Sequence, residues 1–154
     1  MHRELIVIAR ELAARDSVGP PKKASLARAV SSAYYALFRA LAWFVAHQTI
    51  GVRHWDDFRF VYRSLDHGRA RVIFEELLRQ RGVVNDIKIV AQAFVTLQQE
   101  RHAADYDVGY STSRPTVLDL IDRAEEAIDL LDRLDGVSRK QLTARLIGGR
   151  GRKS

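Results

Sequence analysis

The stretch Ala24 to His47, ASLARAVSSAYYALFRALAWFVAH, decides the fold. Leu26, Val30, Ala33/Tyr34, Leu37, Leu41 and Phe44/Val45 recur at three- and four-residue spacing, the period of an α-helix. The flanking positions are also apolar or small, and no acid occurs between Asp16 and Asp56. A helix apolar most of the way round belongs at the centre of a helical protein, with other helices packed about it. Ser31, Ser32 and Ala33 are small enough for another backbone to come close.

The helical period continues on both sides. Leu5, Ile8, Ala9 and Leu12 mark a first helix over His2 to Asp16, broken by Ser17-Val18-Gly19-Pro20-Pro21. After Gly51 come two shorter helices, about His54 to Leu65 and about Gly68 to Gln80, with Arg81-Gly82 as a stop. A fourth runs about Asn85 to Asp105, capped by Asn85 or Asp86, with Ile87, Val90, Ala91, Phe94 and Leu97 as its stripe. After a loop over Asp107 to Pro115, Thr116 caps a fifth helix to about Asp135. Ser138 to Leu146 adds a short last one. No segment alternates with period two. The expected fold is all-α, an antiparallel up-and-down bundle of four or five helices with short extra helices.

The 154 residues suffice for one domain with a real core. With no cysteine, the chain has no disulfide, thiolate metal site or thiol nucleophile, and a reducing, cytoplasmic setting is expected. Met1-His2-Arg3-Glu4-Leu5 turns polar too soon for a secretory leader. The longest uncharged run, Ala40 to Val52, is shorter than the ~20 residues a membrane span needs, so no membrane partner is expected. The net charge of +6 comes from the end of the chain. Arg139, Lys140, Arg145, Arg150, Arg152 and Lys153 follow Ser138 with no acid among them. Without these six, 19 basic residues balance 19 acids. Charge therefore divides the chain into a bundle over 1–136 and a basic, partly disordered tail over 137–154.

Polar chemistry gathers at Gln98-Gln99-Glu100-Arg101-His102-Ala103-Ala104-Asp105-Tyr106-Asp107. Arg101 and Asp105 stand four apart and share a helix face. His102 lies about 100° round the helix, with Tyr106 four residues further along its own face. Tyr34 and Tyr35 cannot point the same way. One belongs in the core, and the other can aim its hydroxyl at Arg101 or Asp105. His54, His67 and His102 are too scattered for a metal site. His67, before Gly68, reads as a turn or cap residue. Trp43 and Trp55 read as core or dimer surface. No phosphate loop, carboxylate pair or nucleophilic triad is present, and no cofactor is implied.

The Ser31-Ser32-Ala33-Tyr34-Tyr35-Ala36-Leu37-Phe38 segment resembles the S-x-A-Y-Y-A-x-F signature of HEPN domains. Arg101-His102-Ala103-Ala104-Asp105-Tyr106-Asp107 is similar to the R-x-x-A-D-Y-D ending of their penultimate long helix. Leu65-Asp66-His67-Gly68 resembles their His-containing turn. The similarity covers about residues 1 to 135. It implies a helical bundle, a homodimer, and a toxin–antitoxin or defence role beside a minimal nucleotidyltransferase. It also implies a metal-independent ribonuclease chemistry in which Arg stabilises phosphoryl charge and His, four to six residues on, moves the 2′-hydroxyl proton. Here no His stands at that spacing after Arg101.

The candidate catalytic residues are Arg101, contacting phosphate, and Asp105, orienting it. His102, Tyr106, Tyr35 and Tyr34 are the supporting phosphate- or nucleotide-binding groups. RNA and a nucleotidyltransferase-type protein are the expected partners. The competing reading is a non-catalytic dimeric interaction module with a structural Arg101/Asp105 pair. Its protein-binding surface would be the dimer face or the acidic outer face of the fifth helix.

Overall fold

The computed structural model describes residues 1–15 and 18–148. Among the described residues it contains seven α-helices and no strand. They are α1 His2–Ala14, α2 Lys23–Thr49, α3 Trp55–Ser64, α4 His67–Arg79, α5 Asn85–Tyr106, α6 Arg114–Arg133 and α7 Gly136–Gly148. Asp16, expected as the last residue of the first helix, lies outside the described residues.

Helix α2 is the axis of the bundle. It touches α1, α3, α5, α6 and α7, and Ala29, Val30, Ala33, Tyr34, Ala36, Leu37 and Leu41 along it are all fully or almost fully buried. By length and composition α2 is apolar enough to cross a membrane, yet 67% of its most apolar window is buried inside the bundle. Its surface is spent on neighbouring helices.

Side-chain pairings fix the directions. On α1 and α6, Arg3 meets Asp129 and Asp132, while Arg10 meets Asp122 and Glu125. The numbers run in opposite senses, so these helices are antiparallel. The same holds for α2 and α5, where Ser31 meets Asp105 and Tyr35 meets Arg101. Each α1–α6 pair is exposed and contributes at most about 1 kcal/mol. Together with Arg123–Asp119 on α6 itself, they set three arginines against five acids of α6, whose acidic face the sequence offers as one docking surface.

Two expected caps move. Val84 is the N-cap residue of α5, so Asn85 and Asp86 stand inside the first turn. Ser113, not Thr116, caps α6: its hydroxyl accepts from the Thr116 backbone N–H at 3.3 Å. Thr116 is the third helical residue because Pro115 already fits the first turn, where no N–H is needed. After α4, Gly82 takes φ +79°, a left-handed conformation costly for other residues.

The charge-based division at residue 136 also needs correction. Residues 136–148 form α7, and Leu142 and Leu146, four apart, are buried in the common core. Arg139 holds the junction by donating from Nε to the Leu134 carbonyl at 2.7 Å and from a terminal nitrogen to the Asp132 carbonyl at 2.8 Å. The basic residues follow the outer face of a docked helix, which a charge count cannot distinguish from a tail. The remaining basic residues, Arg150, Arg152 and Lys153, lie outside the described residues.

Candidate functional site

Two adjacent tyrosines on α2 organise the polar cluster. Consecutive helical residues diverge by about 100°, so Tyr34 and Tyr35 face different neighbours. Tyr34 is 0% exposed. Its ring lies edge-on to Tyr35 at 5.4 Å between centroids and against Phe94 at 5.6 Å. A buried phenol needs a partner, and its hydroxyl meets His67 Nδ1 at 2.5 Å. Burial pushes the Tyr34 hydroxyl far above its ordinary pKa. The phenol stays protonated and is hydrogen-bonded to the imidazole.

Tyr35 is the half-buried member. Its hydroxyl accepts a 2.7 Å hydrogen bond from a terminal nitrogen of Arg101. The guanidinium carbon of Arg101 lies 5.2 Å from the Tyr35 ring centroid and 5.5 Å from that of Tyr34, within cation–π range. Arg101 Nε is 3.0 Å from Asp105 Oδ2. The N–H points off the hydrogen-bond line, so Nε has no hydrogen-bond acceptor and the contact is coulombic. The other carboxylate oxygen of Asp105 accepts from the Ser31 hydroxyl at 2.8 Å. Ser31, Asp105, Arg101 and Tyr35 thus form one chain of contacts that ties α2 to the end of α5.

The pair differs from a surface i,i+4 bridge in burial. The Arg101 and Asp105 side chains are 18% and 34% exposed. Solvent screens them less, and each holds a second partner on another helix.

His67 is the residue that sequence reasoning placed only as a turn or cap. It opens α4, where Asp66 is the N-cap and accepts from the Arg69 N–H at 2.8 Å. Its ring stacks on Phe38 at 3.7 Å and 12°. Gln98 on α5 donates to its carbonyl at 3.1 Å. Burial, and then the Arg101 charge, lower the His67 pKa below 6.5, against a smaller opposing effect of Asp66. The imidazole is therefore neutral at pH 7. The places of His67, Ser31 and Phe38 inside the motif segments pointed to this cluster, but periodicity does not report contacts between separate helices.

His102 and Tyr106 stand apart from this cluster. Their rings pair with each other at 4.9 Å, and Tyr106 is 68% exposed. They form a surface pair on another face of α5, because α5 turns Arg101 and Asp105 toward α2. Beyond α5, Tyr110 donates to Glu100 at 3.0 Å. Burial and that carboxylate push the Tyr110 hydroxyl up to about 12. Four cavities among the described residues are lined by none of Arg101, His102, Asp105 and Tyr106. No group of three or more His, Asp or Glu suited to a metal occurs among the described residues.

Chemically, the cluster holds a cation between a carboxylate and a phenol, beside a neutral imidazole coupled to a second phenol. Comparison with known protein families, with curated proteins and with solved structures finds no match.

Proposed function

We propose that this chain is a HEPN-like bundle that works as a non-catalytic, homodimeric partner module in the cytoplasm, with a toxin–antitoxin or defence role beside a minimal nucleotidyltransferase. The observation that carries the reading is the engagement of Arg101. Its guanidinium lies against two tyrosine rings, bonded to Tyr35 and paired with Asp105. A phosphate ligand would have to displace contacts that already neutralise the cation. The two motif segments supply Ser31, Tyr34, Tyr35, Phe38, Arg101 and Asp105, so the resemblance falls on one packed cluster. In this reading the cluster locks α2, α4 and α5 in register and presents a fixed surface to a partner.

A second reading, a metal-independent ribonuclease, has one specific observation in its favour. His67 is neutral and packs against the same tyrosines as Arg101, so a proton-accepting imidazole stands near the arginine although the motif lacks its own histidine. Incubation of mixed RNA with the wild type and with Arg101→Ala separates the two. A partner module leaves RNA intact with both proteins. Cleavage that disappears in a folded Arg101→Ala variant supports the ribonuclease. The homodimer is checked by sedimentation, where a monomer at all concentrations removes that part of the proposal.

A further inference from the structure

A second site lies away from the Arg101 cluster, where α3 crosses the end of α2. Trp55, Phe58 and Tyr62 on α3 hold nearly parallel rings. Trp55 and Phe58 are 10° apart at 5.4 Å, and Phe58 and Tyr62 are 11° apart at 6.5 Å. Trp43 from α2 meets Phe58 edge-on at 4.7 Å. Phe58 is buried, while Trp43 and Trp55 are 38% and 51% exposed. The tryptophans therefore lie outside the core, each with part of its ring open in the single chain. They wall a pocket of about 300 Å³ that Arg59 and Arg63 complete, at the lower end of the size range of small-molecule sites.

The two arginines are one helical turn apart and face the same way. Among the described residues, neither has a carboxylate within ion-pair distance. No carboxylate lines the pocket. Asp56 lines a separate, shallower groove shared with the same two arginines. Arg3, Arg10, Arg71, Arg101 and Arg123 are ion-paired; Arg59 and Arg63 are not, and they are the two arginines that line the aromatic pocket. Exposed indole faces beside two unneutralised guanidiniums complement a ligand that is flat at one end and negative at the other.

We propose that this pocket binds a small planar aromatic anion, with the ring against Trp43 and Trp55 and the anionic group on Arg59 and Arg63. The site is independent of the function proposed for the Arg101 cluster.

The protein carries its own reporter, because Trp43 and Trp55 are its only tryptophans. The experiment titrates tryptophan emission, excited at the red edge, with adenosine 5′-monophosphate and 4-hydroxybenzoate as aromatic anions. Adenosine and inorganic phosphate serve as the two halves of the ligand. The expected result is saturable quenching by at least one aromatic anion. Adenosine should bind at least about tenfold more weakly than its monophosphate, and phosphate should have no effect. The Arg59→Ala/Arg63→Ala double variant removes exposed side chains only. It should keep the wild-type circular dichroism and weaken the anion by about tenfold or more. The proposal is overturned if neither anion quenches at millimolar concentration. Equal response to adenosine and its monophosphate, or an unchanged affinity in the double variant, also overturns it. So does emission that shifts with protein concentration in step with dimerisation, which would place a second copy over the pocket.

Discussion

Tyr34 and Tyr35 are neighbours in sequence but serve different helices: Tyr34 pairs with His67 on α4, and Tyr35 accepts from Arg101 on α5. Removing each hydroxyl should therefore have a different consequence. Tyr34→Phe leaves His67 Nδ1 without its partner in a site closed by Phe38, and should cost about 1–3 kcal/mol. Tyr35→Phe leaves Arg101 its Asp105 contact and partial access to water, and should cost roughly 1 kcal/mol or less. Urea denaturation of the two variants checks the order; equal losses would contradict the assigned partners.

Arg101 and Asp105 should couple more strongly than a surface pair. Exposed i,i+4 bridges contribute about 0.3–0.5 kcal/mol. Here the pair is partly buried and held at both ends by Ser31 and Tyr35. A double-mutant cycle with Arg101→Met and Asp105→Asn should give a coupling of about 1 kcal/mol or more. A coupling near zero would reduce the cluster to a surface contact.

The pH dependence follows from the histidines. In the fold, burial and Arg101 hold the His67 pKa below 6.5. The unfolded chain therefore takes up the proton first as pH falls. The associated stability is whole above pH 6.5 and is lost between 6.5 and the lower folded value. His2, whose pKa is lowered by burial and by the neighbouring positive charges, acts in the same direction. The midpoint of thermal unfolding should drop between pH 7.5 and 5.5. His67→Gln should be less stable at pH 7.5 and lose less on acidification. An equal acid loss in the variant would remove His67 as a cause.

Helix α7 should be part of the cooperative unit. Leu142 is 1% exposed and Leu146 4%. Leu142→Ala should cost about 2–5 kcal/mol. Deletion of residues 137–154 should lower the thermal midpoint by at least about 5 °C. An unchanged midpoint after deletion would mean that α7 contributes nothing to folding.

Particular residues show how far the sequence could be read. The spacing of Leu26, Val30, Leu37 and Leu41 was enough to place α2 at the centre, because burial around a helix leaves a direct mark on composition. The split between Tyr34 and Tyr35 followed from the 100° step. Ser31 and His67 carried no such mark. Each is a polar residue whose role depends on which helix lies opposite, and that is set by packing. His102 and Tyr106 were grouped with Arg101 by proximity in sequence, but the rotation of α5 carries them to another face. For α7, the Leu142 and Leu146 spacing was present in the sequence, while the surrounding basic residues favoured the reading of a tail.

The most direct test of a structural role for Arg101 is a cleavage assay on mixed RNA without added metal. It uses the wild type and Arg101→Ala at a temperature where both are folded by circular dichroism. A structural lock predicts intact RNA with both proteins and a clearly lower thermal midpoint for the variant. RNA cleaved by the wild type and spared by the folded variant would contradict it.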